Sequence, residues 1–179
     1  MPDITILSVQ RKIKPKIEDV LPLYLDDKMK ESALSFVAWM RENKMPLRWA
    51  GLHNAWKSVY KGKAICYVRL PRGDNDHQLK GQTWVVTPYL DNFHVYTDEI
   101  VNEGMQDFIW GNVFHCMFCR TPCHGYPPGK DVVILEKEIM SVCRGRQLVW
   151  AYAPDETEIG TLKRLLTLEQ CARTGTMLI

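Results

Sequence analysis

Two runs rich in β-branched and aromatic residues, 55–60 and 64–70, are separated only by Lys61-Gly62-Lys63. A parallel crossover needs a connection of a dozen residues or more, so a link this short forces the two runs to pair antiparallel as a hairpin. The polar stretch from Pro71 through Gly73 to Asp76 then makes a turn, and 82–89 reads as a third strand that Pro88 brings to its end. Three strands in this order form a meander. Further runs at 132–135 and 148–152 bring the sheet to about five strands.

Helical periods frame these strands. Within 26–43, Met29, Ala33, Phe36, Val37 and Met40 recur at helical spacing, Asp26 or Asp27 can cap the first turn, and Pro46 closes the segment. Within 97–113, Ile100, Val101, Met105, Phe108, Ile109 and Val113 keep a 3.6-residue period despite Gly104 and Gly111, with Thr97 or Asp98 as N-cap. Ala153-Pro154-Asp155 opens a last helix, proline near its start and acids in its first turn, with Ile159, Leu162, Leu165, Leu166 and Cys171 toward the sheet. Pro15 and Pro22 interrupt the N-terminal part, which reads as a short strand at 4–9 and a helical turn at 17–21.

Strands built from hairpins and set between helices predict an α+β fold: an antiparallel sheet of about five strands, helices packed on one face, and a Cys-rich loop. With 179 residues and no internal repeat or linker, the chain fits a single domain over 1–179, in which 115–143 is an excursion.

Lys and Arg exceed Asp and Glu by 23 to 21, a net charge of +2, which lacks the basic excess that nucleic-acid binding by counterion release requires. No apolar run approaches the ~20 residues of a membrane span, and the basic N-terminus, with Arg11, Lys12, Lys14 and Lys16, holds no signal-type apolar core. A cytoplasmic location follows as the expectation. There, the six cysteines are more naturally thiols or metal ligands than disulfides.

Cys116, Cys119 and Cys123 crowd beside His115 and His124, and Cys143 follows a strand's length later. A Cys-x2-Cys pair lets both thiolates reach one ion from a tight turn, and tetrahedral zinc accepts four sulfurs. The loop 116–130 carries Pro122, Gly125, Pro127, Pro128 and Gly129 with few aliphatic residues, so a structural zinc held by Cys116, Cys119, Cys123 and Cys143 would replace missing hydrophobic burial. His115 or His124 replacing one thiolate is the second choice. An iron–sulfur cluster fits the spacing less well, and a redox dithiol at Cys116 and Cys119 would follow a helix rather than open one. Cys66 and Cys171 lie in apolar patterns and read as small buried hydrophobes.

Six tryptophans form the second constellation. Singly they are packing residues, but together Trp49, Trp56, Tyr60 and Trp84 could line a concave pocket for a small apolar or aromatic ligand, oriented by Asn54, Lys57 or Arg48. The expected function is thus a small-molecule-binding or regulatory domain with a structural zinc. The alternative is a hydrolase or transferase working in the same pocket, with zinc-bound water should one coordination position stay open. No Gly-x-Ser-x-Gly elbow, phosphate-binding glycine loop or His-Glu-x-x-His is present to name an enzyme. Glu99, Glu103, Glu136 and Glu138 read as solvated faces.

The segment from Phe36-Val37-Ala38-Trp39 through Trp56-Lys57 and Tyr60-Lys61-Gly62-Lys63 resembles small bacterial proteins of the YdhG-like and DUF3788-like group. There a helix precedes a Trp-Lys…Tyr-Lys-x-Gly-Lys hairpin, and this chain lacks the residue between Lys61 and Gly62. The second half, with Cys116, Cys119, Pro128-Gly129-Lys130 and Cys143, resembles a Cys-rich Firmicutes version of the group. Across 26–170 the resemblance implies a small α+β domain, distantly GyrI-like and pocket-bearing, and supplies no catalytic residue.

Overall fold

A computed structural model describes residues 6–72, 82–116 and 129–176. The fold is α+β. Strands β1 (Arg48–Trp49), β2 (Ala55–Tyr60), β3 (Lys63–Arg69), β4 (Val85–Pro88) and β7 (Ala151–Tyr152) form a five-stranded antiparallel sheet in the order β1-β2-β3-β4-β7. The hairpin closes through Lys61 and Gly62, both at positive φ (50° and 78°), the mirror-image turn whose twist matches that of the flanking strands.

Register sorts the side chains onto two faces. Trp49, Trp56, Val68, Val86 and Ala151 are successive cross-strand partners, and all five pack into or against the main core. That face is covered by helices α3 (Asp27–Glu42) and α6 (Glu156–Thr174), which contribute Ala33, Phe36, Val37 and Met40, and Ile159, Leu162 and Leu166. Each of these larger side chains removed from water contributes roughly 1.5–3 kcal/mol before its ordering entropy is set against it. Asp26 caps α3 by accepting from the Met29 N–H at 3.0 Å. Asp155 and Glu158 form a reciprocal capping box at the start of α6, and Gly175 ends it in the left-handed conformation.

Three expectations need correction. The strand expected at 4–9 is a helix from its first described residue, α1 (Ile6–Ile13): Ile6, Val9 and Ile13 share an exposed stripe at helical spacing, while Gln10 turns inward. The helical turn expected next is present as α2 (Ile17–Val20), extended by a 3-10 turn over Leu21–Leu23.

The single helix expected over 97–113 is two, α4 (Thr97–Asn102) and α5 (Gln106–Gly111). Gly104 sits at φ 69°, and the Met105 N–H reaches back to the Ile100 carbonyl at 3.0 Å, so the chain takes a Schellman-type exit where Gly makes it cheap. No side chain caps α4, whose N-cap position is Tyr96.

The run at 132–135 does not join the main sheet. It lies in β5 (Lys130–Ile134), which pairs with β6 (Lys137–Val142) in a separate two-stranded ladder, turned by Leu135 and Glu136, both at positive φ. This ladder, α4 and α5 share a second core with Leu165 and Leu168 of α6. Helix α6 therefore bridges both cores. Among the described residues, no helix is long and apolar enough to cross a membrane.

Candidate functional site

The parity that buries Val68 sends Tyr67 and Arg69 to the opposite face of β3. Cross-strand pairing sets Arg48, Lys57, Tyr67 and Thr87 in one row there, and Ala55, Arg69, Val85 and Tyr152 in the next. A small cluster of Phe114, Cys143 and Trp150 packs on Val85, with Cys116 and Tyr152 at its border. Aromatic contacts run through it, Phe114 to Trp150 at 4.4 Å between ring centres and Trp150 to Tyr152 at 6.3 Å, and Tyr67 and Tyr89 make a separate contact at 5.8 Å.

Arg69 lies at the middle of these rings. Its guanidinium carbon is 5.1 Å from the Trp150 ring centre and 5.7 Å from that of Tyr67, within cation–π range. Burial, then the nearby Arg146 and Arg72, lower its pKa, yet a guanidinium starts so high that it stays charged at neutral pH. Burial also pushes the Tyr152 hydroxyl up to about 12 and raises that of Tyr89, so both phenols remain protonated and able to donate. The face thus concentrates positive charge among π-surfaces.

Among the described residues, the buried Trp150 Nε1–H and Thr87 hydroxyl on this face have no hydrogen-bond partner. Those of Trp49, Ser58 and Trp84 belong to the helix-covered side instead.

The residues proposed from sequence as a pocket are separated by the same parity. Trp56 and Trp84 are wholly inside the main core, and the Trp56 Nε1–H donates to the Pro15 carbonyl at 2.9 Å. Trp49 and Tyr60 are half-buried at the border of that core. Asn54 is fully buried, its amide bonded to Gln10, Tyr24 and the Pro71 carbonyl. Only the orienting candidates Arg48 and Lys57 lie on the Arg69 face. Arg69, Tyr67, Thr87, Trp150 and Tyr152 were not singled out from sequence, although the alternation of Tyr67 and Arg69 with Cys66 and Val68 carried the signal.

Of the expected zinc ligands, Cys116 and Cys143 border one cluster, whereas Cys119, Cys123 and His124 lie outside the described residues. The Cys143 N–H donates to the Phe114 carbonyl at 3.0 Å, and His115 pairs with Val142 while its Nδ1 lies 2.8 Å from the Met140 carbonyl oxygen. Entry into β5 is tight: a Cβ on Gly129 would stand 2.5 Å from the Cys116 Cβ and 2.7 Å from the Ser141 carbonyl oxygen. Among the described residues, no three His, Cys, Asp or Glu side chains converge as a metal site. Cys66 is fully buried, which raises its thiol pKa, and Cys171 is half-buried.

A concavity of about 580 Å³ lies elsewhere, between α4, α5 and the β5–β6 turn. Its main aromatic wall, Trp110, is already occupied: Lys137 Nζ stands 4.6 Å over the ring, and the Nε1–H donates to the Ile134 carbonyl at 2.8 Å.

No protein-family model, curated protein or solved structure matches this chain, so the chemistry of the faces has to carry the functional reading.

Proposed function

We propose that the protein is a small-molecule-binding domain whose site is the face of the sheet opposite α3 and α6. One observation carries this reading: Arg69 is set among Tyr67, Trp150 and Tyr152, giving apolar walls with a few fixed polar groups, the composition that ligand sites share. The ligand is small and aromatic in part. Rings already stacked in the protein provide a rigid platform that loses little side-chain entropy on binding.

Titration with 2-naphthamide, followed by tryptophan fluorescence, tests the site. Quenching is expected in the natural protein and should fall by more than half in Trp150→Phe, because the other described tryptophans lie off this face. Undiminished quenching in that variant, with amide NMR shifts clustering near Trp49 and Tyr60, would move the site to the border of the main core.

The same reading includes a structural zinc at Cys116, Cys119, Cys123 and Cys143. Its support is the sequence spacing, together with the placing of Cys116 and Cys143 at one small cluster, drawn close by the tight passage at Gly129. Zinc there would stiffen the segment leading into β5. Elemental analysis of purified protein should give about one zinc per chain, and Cys143→Ser should release it while the far-ultraviolet circular dichroism persists. Metal-free protein with four titratable thiols in this set would reduce these cysteines to packing residues.

A further inference from the structure

We infer that α1 docks the protein on an anionic membrane surface, with the exposed Ile6, Val9 and Ile13 entering the lipid interface and Lys12, Lys14 and Lys16 meeting the headgroups. This is independent of the Arg69 face.

The helix is fixed from one side. Gln10 is bonded to Asn54 through its amide nitrogen at 2.6 Å and its oxygen at 2.9 Å, and just beyond the helix the Pro15 carbonyl accepts from the Trp56 Nε1–H at 2.9 Å. The apolar residues lie elsewhere on its surface. Ile6, Val9 and Ile13 are 55%, 40% and 64% exposed, none belongs to a described core, and at roughly 100° per residue the three share a sector of about 60°. One exposed isoleucine needs no explanation, but a stripe of three is an unpartnered face.

Charge names the occupant. From Ile4 to Ile17 the chain carries Arg11, Lys12, Lys14 and Lys16 and no acid, and among the described residues none of these four cations has a carboxylate partner. Glu18, the first acid to follow, pairs with Arg41. Lys12 borders the stripe one turn on from Val9, and Lys14 and Lys16 follow Ile13, so their stems can lie along the lipid boundary while their ammonium groups reach phosphates. Arg11 falls about 170° round the helix from the stripe. A protein groove that receives a helix wraps its apolar anchors, and here the Gln10 side is closed by Asn54. A bilayer surface needs one open face only, and the helix lies on it without spanning it.

The test is co-sedimentation of the full chain with vesicles of phosphatidylcholine, alone or with about 30% phosphatidylserine, at ~0.1 M salt. Binding should be about tenfold or more stronger to the anionic vesicles and should collapse at ~1 M salt, where the screening length is ~3 Å. Ile13→Asn should weaken it about tenfold, and Lys12→Gln or Lys14→Gln about fivefold each, whereas Arg11→Gln should change it less than about twofold. All four side chains are exposed, so far-ultraviolet circular dichroism should stay that of the natural protein and separate lost docking from lost folding. Absent binding, or equal binding to both vesicles, would overturn the inference. So would an Arg11→Gln loss equal to that of Lys12→Gln, which marks diffuse attraction, or an Ile13→Asn variant that binds as before. A concentration-dependent dimer that Ile13→Asn dissolves, with no vesicle binding, would give the stripe to a second copy of the chain instead.

Discussion

Glu169→Ala should lower the stability of the protein by about 3–5 kcal/mol, the cost usual for removing one partner of a buried ion pair. Glu169 lies fully buried on α6 and accepts from the Asn92 backbone N–H at 3.1 Å, the Asn92 side-chain amide at 2.9 Å, the Tyr96 hydroxyl at 2.8 Å and the Arg173 Nε–H at 2.8 Å. Arg173, one helical turn on, is itself 5% exposed and donates to the Lys63 and Ala64 carbonyls at 3.2 and 3.0 Å, as well as to Asp91 at 3.2 Å. Removing the carboxylate leaves Arg173 only the half-exposed Asp91 as its acid and takes the acceptor from three further donors in one place. Because Arg173 ties α6 to the end of the β2–β3 hairpin, the damage should spread into the sheet. Urea unfolding measures it, with a fall in melting temperature on the order of 10 °C for a chain of this size. A loss below 1 kcal/mol would mean that the network is wet and weak. Glu169→Gln should cost less than alanine, since its amide oxygen still accepts.

Nothing local in the sequence announces that network. Helix α3 and the β2–β3 hairpin were legible because their causes are local: an apolar period with Asp26 before it, and a link too short for any pairing but antiparallel. Glu169 and Arg173 take their meaning from Asn92, Tyr96 and the hairpin carbonyls, brought together only by the complete fold. Gly104 shows a different obstacle. The apolar positions Ile100, Met105 and Ile109 do face one core, so the period was informative about burial even where the helix itself is broken.

The site was less legible than the fold because bulk is a poorer guide than parity. Trp56 and Trp84 are the natural candidates for a ligand wall by size, yet both lie on the helix-covered side, where Trp56 is the cross-strand partner of Val68. Tyr67 and Arg69 look unremarkable in sequence. They acquire interest once the register fixes Val68 inward and thereby sends them outward to meet Trp150, which lies far along the chain. The Cys segment is the reverse case: its spacing speaks from sequence, and two of its four sulfurs lie outside the described residues.

Asn54→Ala should cost about 2–4 kcal/mol, through two separable causes. The first is hydrogen bonding. Asn54 accepts from the Gln10 side-chain amide at 2.6 Å, donates to the Tyr24 hydroxyl at 2.8 Å and the Pro71 carbonyl at 2.5 Å, and its backbone N–H reaches the Gln10 side-chain carbonyl at 2.9 Å. Gln10 is itself 5% exposed, so truncation leaves its amide without the Asn54 oxygen in a place water scarcely reaches. The second cause is backbone. Asn54 has φ 49°, a left-handed conformation that asparagine tolerates and alanine resists by roughly 1 kcal/mol. Asn54→Gly removes the same hydrogen bonds without that strain, so it should recover about 1 kcal/mol relative to alanine. The two variants separate the causes by equilibrium unfolding, and amide exchange in α1 should quicken in both because Gln10 is the inward contact of that helix. If glycine proves as harmful as alanine, the left-handed backbone contributes nothing, and if both are tolerated within 1 kcal/mol, the amide is no keystone and α1 is held by other contacts.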